Sequence, residues 1–190
     1  MRTTELLQER RTYYAIDKNI PVSNDDVVRF VEAATELVPD SFNMKSSRVV
    51  VALDEKHDQL WDAIYDMFEG KVPREKIDSF KAGRGTILYF IDEPTVAGLQ
   101  EQFPGYAGNF PGWANQAVGM LQFSIWTGLR ELNIGASLQH YNPVINDVVR
   151  KLFDVPETWT LNAQMPFGGI IAEPDAKAKE DISARVKVFR

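Results

Sequence analysis

The chain has no cysteine. That excludes disulfides, thiolate catalysis, zinc fingers and cysteine-ligated iron–sulfur clusters, and it permits a reducing cytosol. Histidine is scarce. His57 and His140 are the only two, and neither lies in an HExxH pattern, so no metal site is expected. Long hydrophobic runs are missing as well. The longest, such as Val49-Val50-Val51-Ala52-Leu53, fall far short of the ~20 residues a membrane helix needs. The N-terminal stretch has no apolar segment of signal-peptide length. A cytoplasmic location with no membrane partner is the resulting expectation. Positive charge is in deficit: 21 Lys and Arg face 27 Asp and Glu, for a net charge of −6. Binding to nucleic acid needs the opposite balance, so none is expected. No P-loop is present. Gly83-Arg84-Gly85-Thr86-Ile87-Leu88 lacks the third glycine of a dinucleotide fingerprint and leads into a strand, and no GxSxG elbow supports a Ser-His-Asp triad.

What is there suits one globular domain spanning 1–190. The 190 residues are 44% hydrophobic, enough for one sizeable core and short for two. The pattern predicts a short helix over 3–11 and an amphipathic helix over 24–38. The second is capped by Ser23, carries Val27, Phe30, Val31, Ala34 and Val38 at helical spacing, and is ended by Pro39. Buried strands are expected at 48–53 and 85–92, and a helix at 55–69 with His57 partly exposed on its surface. A short helix follows over 73–82. Residues 103–112, dense in Pro, Gly and aromatics, read as a packed loop. The longest helix, 113–133, is apolar around nearly its whole circumference, which assigns it to the core or to a subunit interface. A short extended segment at 134–138, a helix over 143–153 with Asn142 as N-cap, a strand over 159–166 and a polar tail from 174 complete the order. Widely spaced strands among many helices indicate an α+β layered fold.

Three polar clusters stand out. Arg10-Arg11-Thr12 sits at a helix end, where two guanidinium forks and a hydroxyl suit a phosphate monoester. The same arginines also suit the negative end of a helix dipole. Pro39-Asp40-Ser41-Phe42-Asn43-Met44-Lys45 links a helix to a strand, and Ser41, Asn43 and Lys45 alternate so that their side chains can converge on a ligand. A solvated turn has the same composition. Arg185-x-Lys187 lies near the C-terminus and reads by itself as a solubilising tail.

Taken together, the clusters resemble the FMN-dependent nitroreductase family. Arg10-Arg11-Thr12 is similar to that family's N-terminal Arg-Arg-Ser phosphate motif. Pro39-x-Ser41-x-Asn43-x-Lys45 resembles its Pro-Ser-Ser-x-Asn-x-Gln loop, and Arg185-x-Lys187 its C-terminal pair of cations. Gly135 to Pro143 and Met165-Pro166-Phe167-Gly168 resemble the short branch with the yeast fatty-acid-repression and lactococcal copper-induced nitroreductases.

The resemblance implies a sandwich around a mostly antiparallel sheet flanked by helices, an intertwined homodimer, and FMN at the subunit interface. Arg10, Arg11, Thr12, Arg185 and Lys187 would hold the phosphate, with Tyr14 close by. Ser41 and Asn43 would reach the flavin from the other subunit. Lys45 stands where the family often has Gln, and either faces the flavin's pyrimidine edge or points to solvent. Main-chain N–H groups of Leu138, Gln139 and His140 would meet the flavin N5 and O4 edge. Ser46-Ser47 replaces the family's Pro-Trp. The implied activity is ping-pong reduction of nitroaromatics, quinones or related small acceptors, driven by NADH or NADPH, in a stress-response or similar role. No side chain need act as nucleophile. Phe42, Tyr106, Phe110 and Trp113 are candidates to line the acceptor pocket, and core packing is their other possible role. The competing reading is a regulatory protein that binds flavin or a lipid-like ligand without turnover.

Overall fold

A computed structural model describes residues 2–178 and 180–190. Among them seven helices and five strands follow in the order α1 (Arg2–Glu9), β1 (Ile16–Asp17), α2 (Asn24–Leu37), β2 (Ser47–Leu53), α3 (Asp54–Met67), α4 (Arg74–Lys81), β3 (Gly85–Asp92), α5 (Glu93–Gln102), α6 (Phe110–Glu131), β4 (Ile134–Ala136), α7 (Asn146–Phe153) and β5 (Trp159–Ile170). The fold is α+β, with an open sheet whose named ladders are all antiparallel: β2 with β3, β3 with β5, and β5 with both β1 and β4. β2 forms one edge. On the opposite side β4 is extended by an isolated parallel bridge between Thr12 and Ala136.

The apolar run of β3 is explained by its position. Ile87, Tyr89 and Ile91 face one layer, with Val27, Val31, Phe110, Leu121 and Ile125 of α2 and α6. Leu88 and Phe90 face the other, with Leu60, Trp61, Ile64, Ile77 and Phe80 of α3 and α4. A strand covered on both faces needs no polar alternation. α2 starts with a capping box: the Ser23 hydroxyl accepts from Asp26 N–H at 3.1 Å, and the Asp26 carboxylate accepts from Ser23 N–H at 3.0 Å. Gly128 of α6 lets α2 approach, since a Cβ there would stand 2.0 Å from the Phe30 ring.

Several expectations are corrected. His57 is fully buried rather than partly exposed. Its Nε2 lies 3.2 Å from the Lys81 carbonyl and its Nδ1 2.9 Å from Thr86 Oγ1. A carbonyl only accepts, so Nε2 carries the proton and Nδ1 accepts from the threonine hydroxyl. Thr86 Oγ1 in turn accepts from the Trp61 indole N–H at 2.9 Å. Burial lowers the imidazole pKa to about 4. β2 is half-exposed along most of its length, because it is an edge strand and not a central one. α5 was not expected from the sequence. It buries only Val96, so it carries little periodic signal. α6 starts earlier, at Phe110, and leaves Met120 and Phe123 exposed. α7 begins at Asn146, and Pro143 precedes it in a cis peptide rather than opening the helix. β5 runs on to Ile170, four residues beyond the expected end. Among the described residues no helix is long and apolar enough to cross a membrane, and no cluster of acidic and histidine side chains could hold a metal ion.

Candidate functional site

Arg10 closes α1, its N–H donating to the Leu6 carbonyl at 2.8 Å. Tyr13 N–H then donates to the Ala136 carbonyl at 3.0 Å, which anchors the segment to β4. The Arg10 guanidinium lies 4.3 Å over the Trp126 ring. Burial, with Arg11 alongside, lowers its pKa, though a guanidinium keeps its charge. Its Nε is buried and has no hydrogen-bond partner. Arg11 Nη2 donates to the Asp175 carbonyl at 2.5 Å. Leu7, Gln8, Arg10, Arg11, Ala176 and Lys177 enclose a cavity of about 320 Å³ beside them. Three cations and an unpaired buried N–H suit an anion, and a phosphate monoester fits that donor set.

Lys177 has no signal in the sequence, because only the turn of the chain after β5 brings it here. Arg130 was missed too. It lies in the last turn of α6, four residues after Trp126, and its Nε is also buried without a partner. Arg185 and Lys187 are exposed, with Arg185 Nη1 bonded to Glu180 at 2.8 Å. Within one chain it is therefore Lys177 that closes the Arg10–Arg11 cavity. Tyr14 is half-exposed, 6.4 Å from the Phe80 ring and with Lys76 Nζ 4.3 Å above it.

Leu138, Gln139 and His140 continue along the same sheet edge as Thr12. Gln139 and Gln164 exchange both backbone hydrogen bonds, at 2.7 and 3.0 Å. Gln139 N–H thus points into the sheet. By the alternation of an extended chain, the N–H groups of Leu138 and His140 point away from β5. The Gln164 side chain is fully buried. Its Oε1 accepts from Tyr141 N–H at 2.8 Å and its Nε2 donates to Asn142 Oδ1 at 3.2 Å, while Ser137 N–H donates to the Pro166 carbonyl at 3.1 Å, so β5 holds both ends of this segment.

The Pro39–Lys45 cluster forms a tight 3-10 turn over Ser41–Asn43 at the start of β2. Phe42, Asn43 and Lys45 take left-handed φ angles of 59°, 50° and 55°. Asn43 and Lys45 are exposed and Ser41 is half-buried. The four aromatic candidates meet here. Phe42 stacks on Trp113 at 5.5 Å and lies 5.2 Å from Phe110 and 5.7 Å from Tyr106. Phe103, not singled out from sequence, joins at 5.0 Å. Phe110 is fully buried and backs the group, whereas Phe42 and Tyr106 are about half-exposed.

The Arg10-Arg11-Thr12 and Ser41–Lys45 clusters do not meet within one chain. Residues 10–12 and 138–140 share the edge beyond β4, at the level of β5 residues 164–167. The 41–45 turn adjoins Ser47, which registers with Ile91 and through it with Thr160 at the other end of β5. Four strand spacings and seven residues of strand rise separate Thr12 from that turn, on the order of 30 Å. Beside the turn, the outer side of β2 borders a groove of about 590 Å³ under α2. Val28, Val31, Val49, Val51 and Trp159 line it, and Glu32 and Glu36 stand on its rim.

This architecture has known relatives. The family model described as "Nitroreductase family" matches residues 7–169. Nitroreductase FRM2 of Saccharomyces cerevisiae is 33% identical over 174 residues, covering 90% of this chain and 89% of the yeast protein. Nitroreductase CinD of Lactococcus lactis, solved in complex with nicotinic acid, superposes with a TM-score of 0.92 at 38% identity, over 99% of this chain and 100% of that one. The same protein in complex with chloramphenicol gives a TM-score of 0.93 at 38% identity, again over 99% and 100% of the two chains. With a fold, a cationic cavity and a strained aromatic turn already in view, these matches establish that the chain belongs to the nitroreductase family and is of the oxidoreductase class.

Proposed function

We propose that the chain is an FMN-dependent oxidoreductase that uses NADH or NADPH to reduce nitroaromatics, quinones or related small acceptors by a ping-pong route, and that it works as an intertwined homodimer. The observation that carries this reading is the separation of the Arg10-Arg11-Thr12 cluster from the Ser41–Lys45 turn. Thr12, beside the cationic cavity, stands roughly 30 Å from the Ser41–Lys45 turn and its aromatic cluster, beyond the reach of a single mononucleotide, and the 138–140 segment runs along the same far edge. Two chains, each giving its near edge to the other's turn, assemble one complete site.

In such a site Arg10, Arg11 and Lys177, with Arg185 and Lys187 brought in by the C-terminal arm, would hold the phosphate, Thr12 lying beside them. Leu138 and His140 would offer their outward N–H groups to the flavin edge. Ser41, Asn43 and Lys45 of the partner would border the ring, with Tyr14 near the phosphate end. Bound FMN would accept hydride from the nicotinamide and pass it to the acceptor. The chain's own residues orient and shield. Phe42, Tyr106 and Trp113 form an apolar wall against which a planar acceptor can stack, with Phe110 behind it.

The arm supports the dimer on independent grounds. Among the described residues β2 is paired on one side only, and an open edge is a ready template for another strand. The arm leaves Val186 and Val188 55% and 69% exposed. Arg185 caps a short 3-10 turn over Ile182–Ala184, and beyond it Val186 and Val188 alternate with Lys187. The valines can then enter the partner's groove against Val49 and Val51 while the cations turn to the phosphate. CinD, a relative of matching length, is described in complex with 4-nitrophenol as well as chloramphenicol, which suits a nitroaromatic acceptor here.

The test is optical. Purified protein should be yellow, bleach on addition of NADH or NADPH, and recover its colour when a nitroarene is added. Colour that neither nicotinamide bleaches would favour a non-catalytic flavin binder. A colourless protein that ignores added FMN would sink the proposal.

A further inference from the structure

Left-handed φ angles at Phe42, Asn43 and Lys45 put three strained non-glycine residues within four positions. Such backbone persists only where its surroundings over-determine it. Phe42 is held by its ring contacts with Phe103, Tyr106, Phe110 and Trp113. Lys45 is held differently, through its main chain and from both sides. Its N–H donates to Asp40 Oδ2 at 2.5 Å, and its carbonyl accepts from Arg48 Nη1 at 2.6 Å. Arg48 is fixed in turn by Asp92, whose Oδ2 accepts from Nη2 at 2.5 Å and from Thr95 Oγ1 at 2.7 Å. The Asp40 carbonyl also accepts from Asn43 N–H at 3.3 Å. A chain of contacts thus runs from α5 and β3 through Arg48 and Lys45 to Asp40.

We propose that Asp40 and Arg48 are positioning residues: they clamp the Lys45 peptide in its left-handed state and so aim Ser41, Asn43 and Lys45 at the ligand contributed by the partner chain. This rests on the flavin reading above. In the motif that the turn resembles, the position of Asp40 holds a serine. A carboxylate reaches farther and accepts more strongly than a hydroxyl, which fits it to catch the N–H five residues on. The Asp40 side chain is then occupied by the turn itself, while the Arg48 charge is met by Asp92.

The experiment compares the parent dimer with Asp40→Ala, Asp40→Asn and Arg48→Met in two measurements. The first is hydrogen–deuterium exchange of the peptide covering 41–48 in FMN-free protein. The second is FMN titration of that apoprotein, followed by KM and kcat after loading. Asp40→Ala should speed exchange in this peptide and no other, weaken FMN about tenfold, and leave the urea midpoint close to that of the parent. Asp40→Asn keeps an oxygen acceptor and should restore exchange and FMN affinity to within about threefold of the parent. Arg48→Met should speed the same peptide. Unchanged exchange in Asp40→Ala would overturn the clamp. Faster exchange with unchanged FMN affinity would overturn its role in aiming the turn, and failure of Asp40→Asn to rescue would show that the charge and not the acceptor matters. If the parent itself binds no FMN, the flavin reading falls separately, and the exchange data still decide whether Asp40 and Arg48 hold Lys45.

Discussion

Arg10 rests on Trp126, its guanidinium carbon 4.3 Å from the ring centroid, and the same indole donates its N–H to the Ala136 carbonyl at 3.1 Å. One side chain of α6 therefore links the cationic cavity to the β4 edge. A stacked, half-buried arginine is pre-organised and loses little freedom when it meets an anion.

The first prediction concerns that cavity. Each charge-assisted bond to a phosphate is worth about 1.5–3 kcal/mol, so Arg11→Ala should weaken FMN roughly 10- to 100-fold. Arg2→Ala should change affinity little, because Arg2 pairs with Glu131 on the exposed surface. Flavin fluorescence quenching measures both. Equal retention in the two variants would remove the phosphate assignment.

The second concerns assembly. Val186→Asp combined with Val188→Asp should convert dimer to monomer in sedimentation velocity and release FMN together with it. Dilution of the parent below its dissociation constant should do the same. A monomer that stays yellow contradicts a site shared between chains.

The third concerns acid stability. His57 is buried and neutral, with a pKa of about 4 in the folded protein against 6.5 for an ordinary histidine. Between those values the unfolded chain binds the extra proton. Stability is therefore fully present above pH 6.5 and falls as pH drops toward 4, by roughly 3 kcal/mol at most. Urea unfolding at pH 7 and pH 4.5 should show that loss in the parent and a smaller one in His57→Gln. Parallel pH profiles would exclude His57 as the cause.

The fourth concerns packing between α2 and α6. Gly128→Ala puts a methyl group into the Phe30 ring. Overpacking of this kind costs about 1–3 kcal/mol, which lowers Tm by several degrees in a domain of this size. Calorimetry of the variant tests it, and an unchanged Tm would mean that Phe30 moves aside freely.

Sequence periodicity revealed what depends on nearest neighbours. The Ser23 cap, the α2 face of Val27 and Val31, and the all-apolar β3 were legible because helix caps and covered strands leave local patterns. Motif spacing singles out Arg10, Arg11, Ser41 and Asn43 as candidates. Other features depend on contacts between distant segments. β2 looks like a buried strand until its place at the sheet edge is known. His57 looks like a surface residue until Thr86 and the Lys81 carbonyl meet it from other elements. Trp126 reads as one more apolar residue of α6, and Lys177 as part of a polar tail. Asp40 was passed over because nothing in its neighbours announces that the peptide five residues ahead turns back to meet it.

The open rim of β2 sets a timetable for biogenesis. The valines proposed to cover it come from a second chain, so every newly made chain passes through an interval with an unsatisfied strand edge. Expression yield should therefore depend on how fast two finished polypeptides find each other, and variants that slow that encounter should be lost to aggregation or proteolysis before any defect in flavin chemistry can be seen.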